Sequence, residues 1–498
     1  MVEHAPVKSL RYKAAEGMAF LAAQSFASRV VLFTVQIVLG WLFTPEEFGV
    51  VGLALTVTTV AWTFVGFGVD TVLQQRSSKL LFWEKAAFTV SMGQGLLAAP
   101  ALAAVAPLCA RAFGEPGIVG PLLLVAASMP IIAVSVVPGA KIYAGLHFRW
   151  AAGYTLAELV GHQLLIVILA LLHFGVYAFF IPIPLVFGIR AVFYLWKMPL
   201  ALRGRVKLKQ IQYFLKQGSR VQLSKLILAL IDQGDYLLLG FFATAEAVGY
   251  YFFAFRMAAM PVRVVAGNLQ SILFSTLTQF GADKRRMVDA AFRSAEALSY
   301  VVTPLCFIQA AVADPVLRSL FGEKWLPSIL LLQILSLGLP AEAMATVARA
   351  HLTATGAFDS FLKFSFVSGV FFLVVVGIGA YEAQATGVAI AVFVYYVVLQ
   401  PILFFRVFPP ESRWFQHLLR IFLTPAIISA ISVLLGIFAS LLSQVQNPLL
   451  QAIIIGCVSS VAYVAQLRLV QRRIFDELWS LCRQIVRVNS RSAPDQKI

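Results

Sequence analysis

Arg29 stands in the middle of a long apolar stretch, with Ser25 and Ser28 before it and Gln36 seven residues after it. Arg256 and Arg263 repeat that spacing of seven in another such stretch. Seven residues return a side chain to the same helical face, so each pair forms a stripe. A charge in hydrocarbon is costly unless it meets a wet cavity or a partner, which makes each one a candidate for function. An arginine fork stays charged and grips oxyanion oxygens two at a time, so these stripes suit a phosphate-like group. Arg263 has the alternative of snorkelling to a membrane face.

A third stretch carries Arg220, Lys225, Asp232 and Asp235. Lys225 and Asp232 share a face, and the two aspartates are one turn apart. They can act as counter-ions holding Lys225 or Arg256, or as a coupled carboxyl pair that binds a cation or a proton. Glu158 and His162, at i and i+4, offer either a local pair or a proton relay. Asp70 ends its stretch and reads as a cavity acid or an interfacial one. The four cysteines, Cys109, Cys306, Cys457 and Cys482, stand singly without metal-ligand spacing, so neither a metal nor a disulfide framework is expected.

The elements that must hold these residues are membrane helices. Of the 498 residues 60% are apolar and only 12% charged, with a mean hydropathy of +0.86; a soluble domain is nearer a quarter charged. Spans of about 20 apolar residues are expected at 17–43, 48–72, 86–110, 118–140, 150–172, 176–199, 217–242, 247–273, 290–313, 328–348, 362–380, 385–405, 418–442 and 448–467. Lys and Arg alternate between the connections: 30 of 39 lie on one side, three on the other and six within spans. The positive-inside rule then makes both termini cytoplasmic, and fourteen is the even count this requires. The net charge of +16 is accounted for by topology and by attraction to anionic membrane lipids. A nucleic-acid role would need a basic face on a soluble domain, and none is expected. No cleavable signal peptide is expected either, because the first apolar stretch is too long.

The chain repeats itself. Thr44, Glu46 and Gly49 recur as Thr244, Glu246 and Gly249, and Phe113-Gly-Glu115 as Phe321-Gly-Glu323. Gly145-Leu-His-Phe148 is echoed by Gly356-Ala-Phe358. Such matches in order predict two six-helix lobes of like orientation, related by a pseudo-two-fold axis along the membrane normal. The expected divisions are 1–201 for the first lobe, 202–216 for a basic linker and 217–406 for the second lobe. Two appended helices over 407–470 and a basic tail over 471–498 complete the chain. The axis would let Arg29 and the Arg256/Arg263 stripe meet in a central cavity. Pro130, Pro138, Pro182, Pro184 and Pro340 are candidate bending points. No phosphate-binding G-x-x-x-x-G-K-[ST] loop occurs, which excludes direct ATP hydrolysis. The connections placed outside are too short to enclose an enzyme site, so no catalytic residue and no cofactor is expected.

The run Leu42-Phe-Thr-Pro-Glu-Glu-Phe-Gly49, then Phe64-Val-Gly-Phe-Gly-Val-Asp70 and Leu73-Gln-Gln-Arg76, resembles polysaccharide-transporter (Wzx-type) oligosaccharide flippases. These share a superfamily with the lipid II flippase and the multidrug and toxin extruders. The resemblance implies an all-α inner-membrane transporter of an undecaprenyl-diphosphate-linked oligosaccharide for exopolysaccharide or O-antigen, working by alternating access. It also implies polysaccharide polymerase and export proteins as partners, and substrate-facing cations on helices one and eight. The alternatives are a drug/cation antiporter of the same superfamily and, behind it, a membrane polysaccharide polymerase.

Overall fold

The computed structural model describes residues 7–66, 68–75, 80–145, 148–202, 205–266, 273, 283–355, 358–408 and 414–491. Phe67, Arg76, Leu146, His147, Gly356 and Ala357 of the patterns above lie outside the described residues, as does the tail beyond Arg491. Among the described residues helix is the only regular structure, and no strand occurs.

The first half of the chain forms α1 (Val7–Leu42), α2 (Pro45–Thr63), α3 (Val69–Gln75), α4 (Leu80–Phe113), α5 (Val119–Ala144), α6 (Phe148–Leu171), the short α7 (Tyr177–Phe180) and α8 (Pro182–Lys197). Then come α9 (Leu208–Asp232), α10 (Gly234–Phe242), α11 (Ala245–Ala258), α12 (Met260–Ala266), α13 (Lys284–Phe321) and α14 (Pro327–Ala354). The remainder is α15 (Phe358–Val394), α16 (Gln400–Val407), α17 (Trp414–Leu418), α18 (Thr424–Leu442), α19 (Pro448–Val470) and α20 (Arg472–Arg491). Nine helical stretches among the described residues are long and apolar enough to cross a membrane. The longest, Ser365–Val407, is two helices meeting at Ala383 and Gln384, whose φ values are −144° and 47°. That is the boundary expected between the eleventh and twelfth spans.

Four expected spans are interrupted, 176–199 among them, where α7 ends at Phe180 and α8 begins at Pro182. Gly66 and Gly68 take φ of 85° and 67°, a region that a Cβ disfavours, so 48–72 divides into α2 and α3. The span 217–242 breaks at Gln233 (φ −115°, ψ 3°), beside Gly234, where a Cβ would strike the Leu373 side chain. The span 247–273 breaks between Ala258 and Met260. Helix α9 also starts at Leu208, inside the stretch 202–216 expected as linker, because Gln210 Oε1 accepts from the Lys207 N–H at 3.1 Å and caps it. Pro130, Pro138 and Pro340 lie within unbroken helices.

By packing, the chain forms two compact units, Met1–Phe253 with Leu362–Val392 and Ala254–Phe361 with Phe393–Ile498. In the first, Thr44 opens α2 with a capping box: its N–H donates to Glu47 Oε2 at 2.9 Å, and its Oγ1 accepts from the Glu47 N–H. Phe48 then seats its ring between Phe43 at 5.9 Å and Phe253 at 6.0 Å. One turn along, α2 and α11 touch backbone to backbone. A Cβ on Gly49 would overlap the Ala245 carbonyl oxygen, and one on Gly249 would overlap that of Pro45. Pro45 and Ala245 are separated by the same 200 residues as Gly49 and Gly249, so the contact is reciprocal, as the expected two-fold relation would require. Close approach of this kind is the use of glycine between membrane helices, where van der Waals packing replaces the hydrophobic drive.

The residues after α8 are tied to the same unit. Glu84, only 1% exposed, accepts from Lys141 Nζ at 2.8 Å and from the Ala201 N–H at 3.0 Å. Lys141 also donates to the Pro199 carbonyl, and Gln210 Nε2 to that of Phe82 at 3.0 Å.

In the second unit α13 and α14 form a long hairpin, and α18 and α19 lie against α13. Tyr463 donates its hydroxyl to the Tyr300 carbonyl at 2.7 Å, and Ser299 donates to the Ile421 carbonyl. Gly436 admits Ser459 where α18 and α19 cross.

Candidate functional site

Within the first unit α2, α3, α5, α6, α8 and α9 line an open cavity of about 600 Å³. The α2–α3 break matters here, because it turns Asp70 and Gln74 of α3 toward the space beside Trp62 of α2. Helix α6 contributes Glu158, His162 and Gln163 from successive turns, α8 contributes Phe187, Arg190 and Tyr194, and α9 contributes Lys225.

Two ion pairs face this space. Lys225 Nζ lies 3.2 Å from Asp70 Oδ1, with both side chains 42% exposed, and Arg190 Nη1 lies 3.4 Å from Glu158 Oε1. The Arg190 guanidinium also sits 4.2 Å from the Phe187 ring centre, a cation–π contact, and Phe187 meets Trp62 edge to face at 5.6 Å. Trp62 Nε1 and Arg190 Nε are buried donors with no acceptor among the described residues.

The half-exposed Lys225–Asp70 pair contributes only about 0–1 kcal/mol, whereas the Arg190–Glu158 pair, 21% and 17% exposed, is largely buried. Each is a charge-assisted contact that a stronger oxyanion can take over. A di-anionic ligand offering forked oxygens would compete well for Arg190 and Lys225, and a polyhydroxylated one would find carboxylate and amide acceptors beside aromatic faces. Because each cation is matched by a carboxylate, the cavity carries no strong excess of either sign.

Four of the expected site residues, Asp70, Lys225, Glu158 and His162, are thus brought together, though not with the expected partners. Lys225 pairs with Asp70 across 155 residues of sequence rather than with Asp232 on its own helix. Glu158 pairs with Arg190, one helix away, rather than with His162. The two aspartates of 217–242 face different surroundings, because the Gln233 break lies between them. Asp232 is exposed, whereas Asp235 is 3% exposed and accepts from the Tyr251 hydroxyl at 2.7 Å and the Tyr236 N–H at 2.9 Å. Gln36 is buried on α1, with no hydrogen-bond partner for its Nε2 among the described residues, and Arg29 on the same helix is half-buried. Arg256 is half-buried near the end of α11 and Arg263 is exposed on α12, both in the second unit. Arg190 was not among the expected site residues. Its signal was present, since it is one of the six cations lying within spans, the criterion that singled out Arg29.

A family model described as polysaccharide biosynthesis protein matches residues 38–330. Among curated relatives, the succinoglycan biosynthesis transport protein ExoT of Rhizobium meliloti is 24% identical over 299 residues, which is 58% of each chain. The teichuronic acid biosynthesis protein TuaB of Bacillus subtilis is 24% identical over 233 residues, 45% of this chain and 47% of its own. The matches thus span about half the length of these relatives. Among solved structures, the lipid II flippase MurJ in an inward closed conformation superposes with a TM-score of 0.74 at 14% identity, over 90% of this chain and 98% of that one. An inward-facing multidrug resistance transporter of the MATE family superposes with a TM-score of 0.62 at 15% identity, over 80% and 94%.

Proposed function

Because the chain belongs to the polysaccharide biosynthesis protein family over residues 38–330, we propose that it is a flippase for a polyprenyl-diphosphate-linked oligosaccharide, supplying exopolysaccharide or O-antigen synthesis across the inner membrane. The observation that carries this reading is the cavity between α2 and α9, with its exchangeable Arg190–Glu158 and Lys225–Asp70 pairs beside Trp62 and Phe187. Diphosphate displaces the carboxylates from their cations while the sugars meet aromatic faces, Gln74 and Gln163. Alternating access then opens the cavity to one leaflet and the other in turn. Arg29, Gln36, Arg256 and Arg263 are proposed as further substrate-facing residues, and Asp235 and Asp232 as counter-ion or ion-coupling groups.

The frame of this reading is fourteen crossings, two repeats over 1–201 and 217–406, appended helices over 407–470, and both termini in the cytoplasm. A polysaccharide polymerase and export proteins would take the cargo onward. The antiporter reading draws support from the fold likeness to the MATE transporter. The cavity favours the flippase, because Asp70 and Glu158 are already neutralised by cations and present no uncompensated acid to a cationic drug.

The test is depletion in the native host. A lipid-linked oligosaccharide should accumulate on the cytoplasmic leaflet, and polymer export should stop. Export at the normal level after depletion, with no such intermediate, would refute the assignment.

A further inference from the structure

Helix α19, 23 residues long, is about 34 Å at 1.5 Å per residue, enough to cross the roughly 30 Å of hydrocarbon. The chain therefore leaves the membrane near Val470. Gln471 (φ −133°, ψ 54°) breaks the helix there, and α20 begins at once with Arg472. Its sequence is divided as sharply as any in the chain. At 100° per residue, Ile474, Phe475, Leu478, Trp479, Leu481, Cys482, Ile485 and Val486 fall on one half of the circumference, which carries no charge. Arg472, Arg473, Arg483, Arg487 and Arg491 fall on the other, with Asp476 and Glu477 as the only acids.

Among the described side chains, the protein covers Ile474 at the start of the apolar half and leaves Trp479 exposed. Ile474 is 5% exposed against a core of Tyr300, Ile428, Tyr463 and Leu467, with Phe475 and Leu478 beside it. One turn on, Trp479 is 51% exposed, stacked on Phe475 at 6.2 Å with the Arg483 guanidinium 5.3 Å from its ring. A large aromatic surface exposed beside a membrane exit, backed by five arginines, has the composition of an interfacial helix.

We propose that α20 is an in-plane anchor whose apolar half is completed by the acyl region, and whose arginines are met by the headgroups, of an anionic phospholipid layer. This does not depend on what the transporter carries. Charge complementarity selects that occupant: the helix is net cationic and its acids lie on the polar side. Each arginine near such a surface is worth about 1 kcal/mol, or about fivefold in binding.

The full-length protein, with Cys109, Cys306 and Cys457 replaced by Ala, would carry bimane on Cys482 and be placed in nanodiscs. Emission should shift to the blue in phosphatidylglycerol-containing discs relative to phosphatidylcholine discs. The combined Arg483→Gln, Arg487→Gln and Arg491→Gln variant should abolish the difference. Equal emission in both lipids, at either wavelength, would overturn the proposal and assign the face to protein. So would a phosphatidylglycerol response that survives the triple variant.

Discussion

Lys225 is held by a weak, half-exposed pair, and this separates stability from transport at that residue. Removing Lys225 from its half-exposed pair should change folding by no more than about 1 kcal/mol. The same change removes a charge-assisted contact to diphosphate worth roughly 1.5–3 kcal/mol, or one to two decades in binding. Lys225→Ala should therefore reach normal membrane levels and lose most polymer export. Arg190→Ala, which leaves the largely buried Glu158 without its cation, should lose stability as well as export, with Arg190→Lys restoring only part because it loses the fork. Normal export by both at wild-type abundance would mean the pairs are purely structural. The same assay applies to Arg29→Ala and Arg256→Ala, with Gln expected to rescue poorly. The charges themselves were legible in the sequence, since an ionisable residue in an apolar span stands out. Their partners were not. Asp70 and Lys225 are 155 residues apart, and no periodicity within one helix can reveal a pairing made by packing.

Helix order and membrane character followed from apolar run length alone, because a span must satisfy its backbone internally and exceed the hydrocarbon thickness. The interruption at Gly66–Gly68 was hidden, since it lies in apolar sequence and depends on what packs alongside. That at Gln233 falls in the polar run Asp232-Gln233-Gly234-Asp235, whose aspartates point toward chemistry rather than toward a break. The Gly49–Gly249 contact sits between these extremes: the repeat marked both glycines, and the structure supplies the reason. Gly49→Ala and Gly249→Ala should each lower the melting temperature in detergent by several degrees, as expected for overpacking of about 1–3 kcal/mol or more. Gly93→Ala and Gly161→Ala, where a Cβ meets nothing within 4 Å, serve as controls and should melt as wild type. Equal melting of all four would dissociate the crossing from stability.

For the molecule as a whole, the strict alternation of cations predicts an even number of crossings with both ends in the cytoplasm. Single cysteines placed at 45 and 245 should react with an impermeant thiol reagent from the outside, and one at 205 only after the membrane is breached. Labelling of 45 and 245 from the cytoplasm alone would invert the topology. The compact units cut across the sequence halves, with 362–392 packing beside the first 253 residues. This is why a division by repeats, readable from Thr44-Glu46-Gly49, does not by itself disclose which helices share a core.

The Glu84 clamp has a consequence for biosynthesis. Its last partner, the Ala201 N–H, and the Gln210 side chain bonded to Phe82 are synthesised before most of α9 and long before the second half of the chain. The first eight helices can thus be locked shut while the remainder is still being translated. A gene split after residue 212 should therefore yield two fragments that assemble when co-expressed. Glu84→Gln, which weakens the clamp, should harm that pairing far more than it harms the intact chain.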